Sequence, residues 1–111
     1  MKLMTTKKRI NSRNKGATAE REVATLLTEK GFPASRGQQH SGSPDSPDVR
    51  CESFKDFHIE VKRTQKTAIY DWLDQAIRDK REDQKPVIFH RKNQKDWIVI
   101  LRLDDFLGLV K

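Results

Sequence analysis

Pro47-Asp48, followed after a short stretch by Phe57-His58-Ile59-Glu60-Val61-Lys62, is the part of this chain whose reading decides the fold. The second segment, with aromatic and β-branched residues, reads as a strand, and a strand sends alternate side chains to opposite faces. Ile59 and Val61 therefore share the face that meets a core, and Glu60 and Lys62 share the other. A carboxylate and an ammonium stand side by side, and Asp48 can join them from a neighbouring strand. Two acids beside an amine can hold a divalent cation next to a fixed positive charge, which suits hydrolysis of a phosphodiester. Taken singly the residues have plainer explanations: a turn aspartate after proline, and an exposed cross-strand ion pair.

Working outward, Ala19, Val23, Leu26 and Leu27 follow the spacing of a buried helical stripe, which predicts a helix over residues 15–30. Asn14 is placed to cap it, and Gly31 to end it. Glu20 borders the stripe and can reach inward, whereas Arg21 and Glu22 are expected to face solvent or a polyanion. Residues 32–36 read as a short strand and 37–46 as a polar loop. Strands over 48–52 and 57–62 follow. A second helix is expected over 68–82, with Ile69, Leu73, Ala76 and Ile77 as its stripe. Two more strands, over 87–90 and 97–101, precede a short helix over 104–109. The order is α-β-β-β-α-β-β-α, an α/β fold with a mixed five-stranded sheet flanked by helices.

The chain has 111 residues, enough for one domain, with 34% hydrophobic and 35% charged residues. Its formal net charge of +7 favours a polyanionic partner, nucleic acid before an acidic membrane. No basic amphipathic helix with a continuous aromatic face supports a membrane partner. One cysteine, Cys51, excludes an internal disulfide and a multi-thiolate metal site. No long apolar run and no secretion signal are apparent, so a cytoplasmic protein is expected, in a host cell if the source is viral. Residues 1–14 read as a basic flexible arm, with Lys7, Lys8, Arg9 and Arg13 unrelieved by any acid, and residues 15–111 as the single folded domain. Such an arm serves equally well as a phosphate-grasping segment or as a solubilising tail.

Gly16-Ala17-Thr18-Ala19-Glu20-Arg21-Glu22, Gly31-Phe32, Arg36, Ser41-Gly42, Pro47-Asp48-Val49 and Ile59-Glu60-Val61-Lys62 together resemble the PD-(D/E)xK nuclease superfamily. The resemblance is nearest to its archaeal-type Holliday junction resolvases and their virus-encoded relatives. It implies a restriction-endonuclease-like core, Mg²⁺-dependent hydrolysis with Mn²⁺ as a substitute, and a homodimer that nicks two strands of branched DNA. It also implies roles for Glu20, Asp48, Glu60 and Lys62, and a metal ligand in the main-chain carbonyl of Val61. A family serine precedes the motif aspartate; Ser41 is the nearest match and Ser35 a rival. Many nucleases of the superfamily carry a glutamine on the helix after the lysine strand, which points to Gln75. Asp45 and the short C-terminal region depart from the pattern.

Asp48 and Glu60 are hard oxygen ligands of the kind Mg²⁺ prefers, and Glu20 could bind a second ion or hold metal-bound water. Lys62 would orient or stabilise an attacking hydroxide. Lys15, Arg21, Arg36, Arg63 and Lys66, with the arm, could contact phosphates and provide affinity without sequence preference. His40, His58 and His90 match no zinc spacing, and His58 is expected at the surface, on the same face as Glu60. No phosphate-binding glycine loop is present, so no nucleotide cofactor is expected. Two readings compete with the resolvase: a nuclease of the same superfamily acting on other DNA, and a silent DNA-binding module of the same fold.

Overall fold

The computed structural model describes residues 12–37 and 47–111, with the side chains of residues 12–15 excepted. Lys7, Lys8, Arg9, Ser41 and Asp45, and the side chains of Arg13 and Lys15, lie outside the described parts. Three helices and five strands follow the expected order. Helix α1 is Ser12–Glu29 and strand β1 is Ala34–Arg36. Strand β2, Val49–Cys51, leads through a 3-10 turn, Glu52–Phe54, into β3, Phe57–Arg63. Helix α2, Ile69–Asp79, crosses to β4, Lys85–Arg91, and then β5, Ile98–Ile100, and helix α3, Leu103–Val110, complete the chain.

The sheet order is β1-β2-β3-β4-β5. The first three strands form an antiparallel meander, α2 makes β3 and β4 parallel, and β5 returns antiparallel to β4. The parallel pair runs in register from Phe57 opposite Lys85 to Arg63 opposite Arg91. A parallel neighbour needs a crossover of at least a helix, and the apolar stripe of α2 provides it. The stripes of α1 and α2 cover opposite faces of the sheet, although Leu26, Ile69 and Ile77, expected within them, are exposed. Ala19 and Val23 of α1 pack with Val49, Ile59, Val61 and Val87, while Leu73 and Ala76 of α2 pack on Ile88. Ile59 and Ile88 are almost fully buried, each burial contributing about 1.5–3 kcal/mol. Strand β3 is thus covered on both faces, with His58 and Glu60 buried opposite the apolar pair.

Element ends differ from expectation for physical reasons. Helix α1 starts upstream of Asn14, so Asn14 is a helical residue and not the cap. Its C-terminus behaves as anticipated: Gly31 takes φ +100°, its N–H donates to the Thr28 carbonyl, and the Phe32 N–H donates to the Leu27 carbonyl. That is the paired closure a left-handed glycine permits. Helix α2 stops at Asp79 because Lys80 is extended, and Gln84 then turns the chain by bonding the Arg81 amide and the Lys55 carbonyl. Strand β4 begins earlier than expected and includes Pro86. Strand β5 pairs only with Ile88 to His90, so at Pro86 one edge of β4 is uncovered and tolerates a missing N–H.

Candidate active site

The site is built where β2 leaves β3. Regular pairing places Val49 opposite Ile59, and the chain before it bends away. Asp48 straddles the strand edge there. Its N–H donates to the Ile59 carbonyl at 2.9 Å, and its Oδ2 accepts the Val61 N–H at 2.8 Å. The aspartate is therefore held against the β3 main chain on either side of Glu60. In a strand the N–H and C=O of one residue leave on the same edge, so the Val61 carbonyl also projects on the side where Asp48 sits. Gly37 makes this approach possible: its N–H donates to the Asp48 carbonyl, and a Cβ there would overlap the Pro47 carbonyl.

Helix α1 brings Glu20 to the same place. Glu20 is 9% exposed, and its Oε1 accepts from Arg36 Nε at 2.9 Å. Burial pushes its carboxyl above the ordinary value of 4.5; the Asp48 charge adds to the push and Arg36 pulls against it. Two acids and a guanidinium thus meet where α1, β1 and β2 converge.

Glu60 and Lys62 lie on the α2 side of β3. Lys62 Nζ donates to Gln75 Oε1 at 3.4 Å, so the helix glutamine meets the strand lysine. Glu60 is 5% exposed, and its Oε2 accepts from Nε2 of His58 at 2.7 Å. His58 has no exposed surface, which corrects the expectation of a surface histidine. The same-face spacing of His58 and Glu60 was the available signal. It did not reveal burial, because Pro86 of β4, the register neighbour of His58, closes that face only after the crossover. Glu22 likewise faces neither solvent nor a ligand alone: it accepts from Arg91, and from Trp97 Nε1 at 3.1 Å, tying α1 to the C-terminal strands.

Among the described residues no three of His, Cys, Asp and Glu form a metal-holding group. The structure brings Glu20 to Asp48, bonds Asp48 to the amide that follows Glu60 and joins Lys62 to Gln75, without gathering the three acids into one cluster. The donor chemistry nevertheless fits a hard divalent ion: the Asp48 carboxylate and the Val61 carbonyl share one edge of β3, and Glu60, another oxygen donor, immediately precedes Val61. Of the residues expected to contact phosphate, Arg21 and Lys66 are exposed, Arg36 is engaged by Glu20, and Arg63 donates to Asn93 Oδ1 at 3.1 Å. Ser35 is exposed on β1.

A family model described as "Phage putative PDDEXK endonuclease" matches residues 11–110, and the chain belongs to that family. The Archaeoglobus fulgidus Holliday junction resolvase Hjc, from an archaeal hyperthermophile, has a similar fold at TM-score 0.59 and 23% identity. That match covers 78% of this chain and 72% of the resolvase. No curated protein matches. The fold is therefore the restriction-endonuclease-like core of the PD-(D/E)xK nucleases, as the motif residues imply.

Proposed function

We propose that this chain is a metal-dependent, structure-specific DNA endonuclease that resolves four-way junctions by paired phosphodiester hydrolysis, acting as a homodimer. The observation that carries the reading is Asp48 bonded to the strand amide beside Glu60, on the strand that also delivers Lys62 to Gln75. Asp48, Glu60 and the Val61 carbonyl would hold Mg²⁺, with Mn²⁺ as a substitute. When bound, the ion lowers the pKa of a water molecule and offsets charge on the phosphate. Lys62 places a cation beside the attacked phosphate, and Gln75 restrains its ammonium and can accept from a water molecule. Glu20, held by Arg36, orients water or a second ion through its other oxygen.

Arg21, Arg36, Ser41, Arg63, Lys66, Lys15, Arg13 and the arm residues Lys7, Lys8 and Arg9 supply phosphate contacts over the backbone of branched DNA. The net charge of +7 supports this, because neutralising phosphates releases counterions whatever the base sequence. Two active sites related by a two-fold axis suit the symmetry of a four-way junction. Exposed Leu103, Phe106, Leu107 and Leu109 of α3, with Val99 of β5 on the same side of the sheet as Leu109, supply apolar surface for a second copy. Among the described residues no helix is long and apolar enough to cross a membrane, and we place the activity in the cytoplasm, or in that of a host cell.

The test is a labelled four-way junction and a matched duplex, each with Mg²⁺ or with chelator. Paired, symmetric, Mg²⁺-dependent nicks in the junction alone are expected. Equal cutting of the duplex would shift the reading to a nuclease for other DNA in repair or restriction. Binding without cutting, unchanged by Asp48→Ala, would leave a silent DNA-binding module.

A further inference from the structure

We infer that His58 is a positioning residue, which fixes the Glu60 carboxylate for the metal. The inference rests on the metal-dependent nuclease reading and adds to it a residue that sequence motifs leave aside. Three features of β3 carry it. His58, Glu60 and Lys62 alternate along one face of the strand, so the imidazole lies directly behind the acid as seen from the lysine. The imidazole is fully buried and held by the parallel β3–β4 register, opposite Pro86, another fully buried residue. A rigid group in a closed space fixes whatever it bonds.

That bond is to Glu60. A carboxylate only accepts, so Nε2 of His58 carries the hydrogen and donates it to Oε2 across 2.7 Å. Among the described residues Nδ1 of His58 has no partner, so the imidazole makes a single side-chain hydrogen bond, with the acid. A ring placed for packing alone gains nothing from a buried, unpartnered nitrogen. With Oε2 held, rotation of the Glu60 carboxylate is stopped, and Oε1 makes no hydrogen bond among the described residues. One oxygen is anchored and the other is left for a cation. Outer hydrogen bonds of this type orient ligating groups, and their loss typically costs about 10–100-fold in metal affinity.

Mn²⁺ binding by the full chain, followed by electron paramagnetic resonance, tests this without reference to catalysis. His58→Gln keeps an amide donor near the Nε2 position and should bind Mn²⁺ within a few-fold of the unaltered protein. His58→Leu removes the donor and should weaken Mn²⁺ binding about 10–100-fold. It should still bind a four-way junction in chelator. If His58→Leu does not fold, His58→Asn supplies a shorter amide that cannot reach Glu60 and should show the same loss. Wild-type affinity in the donor-free variants would overturn the inference while leaving the nuclease reading intact. Equal loss in His58→Gln and His58→Leu would reduce His58 to packing and overturn it as well. Failure of the unaltered protein to bind Mn²⁺ would overturn both.

Discussion

Glu20 carries a clear electrostatic signature. Burial raises its pKa, Asp48 adds to the rise, and Arg36 only partly offsets it. An acid with a higher pKa folded than unfolded binds its proton more tightly in the folded state. Its contribution to stability is therefore present below the ordinary value of 4.5 and is lost as pH rises through the raised one. Glu20→Gln removes that titration. The melting temperature of the variant should gain on the wild type as pH rises from below 4.5 through the raised value. A gap that is constant or shrinks with pH would contradict the assignment. At the other end of the site, Lys62→Met should lower junction cutting by roughly 10²–10³-fold, the cost of removing one preorganised charge from a developing oxyanion. Junction binding measured in chelator should persist, because the exposed basic residues are untouched. Parallel loss of binding would mean that Lys62 holds DNA and does not assist the chemistry.

Elements place these residues, and two glycines show how finely. Gly37 lies against the Pro47 carbonyl and leaves no room for a Cβ, so Gly37→Ala should destabilise by about 1–3 kcal/mol and displace Asp48. Gly16 of α1 has open space around its Cα, so Gly16→Ala should instead stabilise by roughly 0.5–1 kcal/mol through helix propensity. Urea midpoints of the two variants should move in opposite directions, and movement of both the same way would count against the geometry. Periodicity was sufficient for the order of elements: the stripe of α1, the alternation of β3 and the stripe of α2 each announce themselves. Ends were less legible, since the turn that follows α2 depends on Gln84 reaching Lys55, a residue distant in sequence. Glu20, Asp48, Glu60 and Lys62 stand out as candidates through local spacing and motif. The burial of His58 and the Glu22 contacts to Arg91 and Trp97 were not, because each depends on strands that arrive later in the chain.

As a whole, the molecule combines a basic surface with an apolar C-terminal face. Junction affinity should fall with salt at a slope of about 0.9 per phosphate neutralised. Removing residues 1–11, which spares α1, should flatten that slope by several phosphate equivalents; an unchanged slope would leave the segment as a solubilising tail. Phe106→Glu, on the exposed face of α3, should shift sedimentation from dimer to monomer and convert paired nicks to single ones. A variant that sediments and cuts as the wild type does would place the partner copy elsewhere.

At all three scales the molecule depends on Asp48, Glu60 and the Val61 carbonyl sharing one divalent ion at the fork between β2 and β3. Anomalous scattering from crystals grown with Mn²⁺ reads that directly. A peak is expected within ligand distance of those three groups, lost in Asp48→Asn. A well-ordered structure with no peak there, or with Mn²⁺ bound only at distant carboxylates, would contradict it.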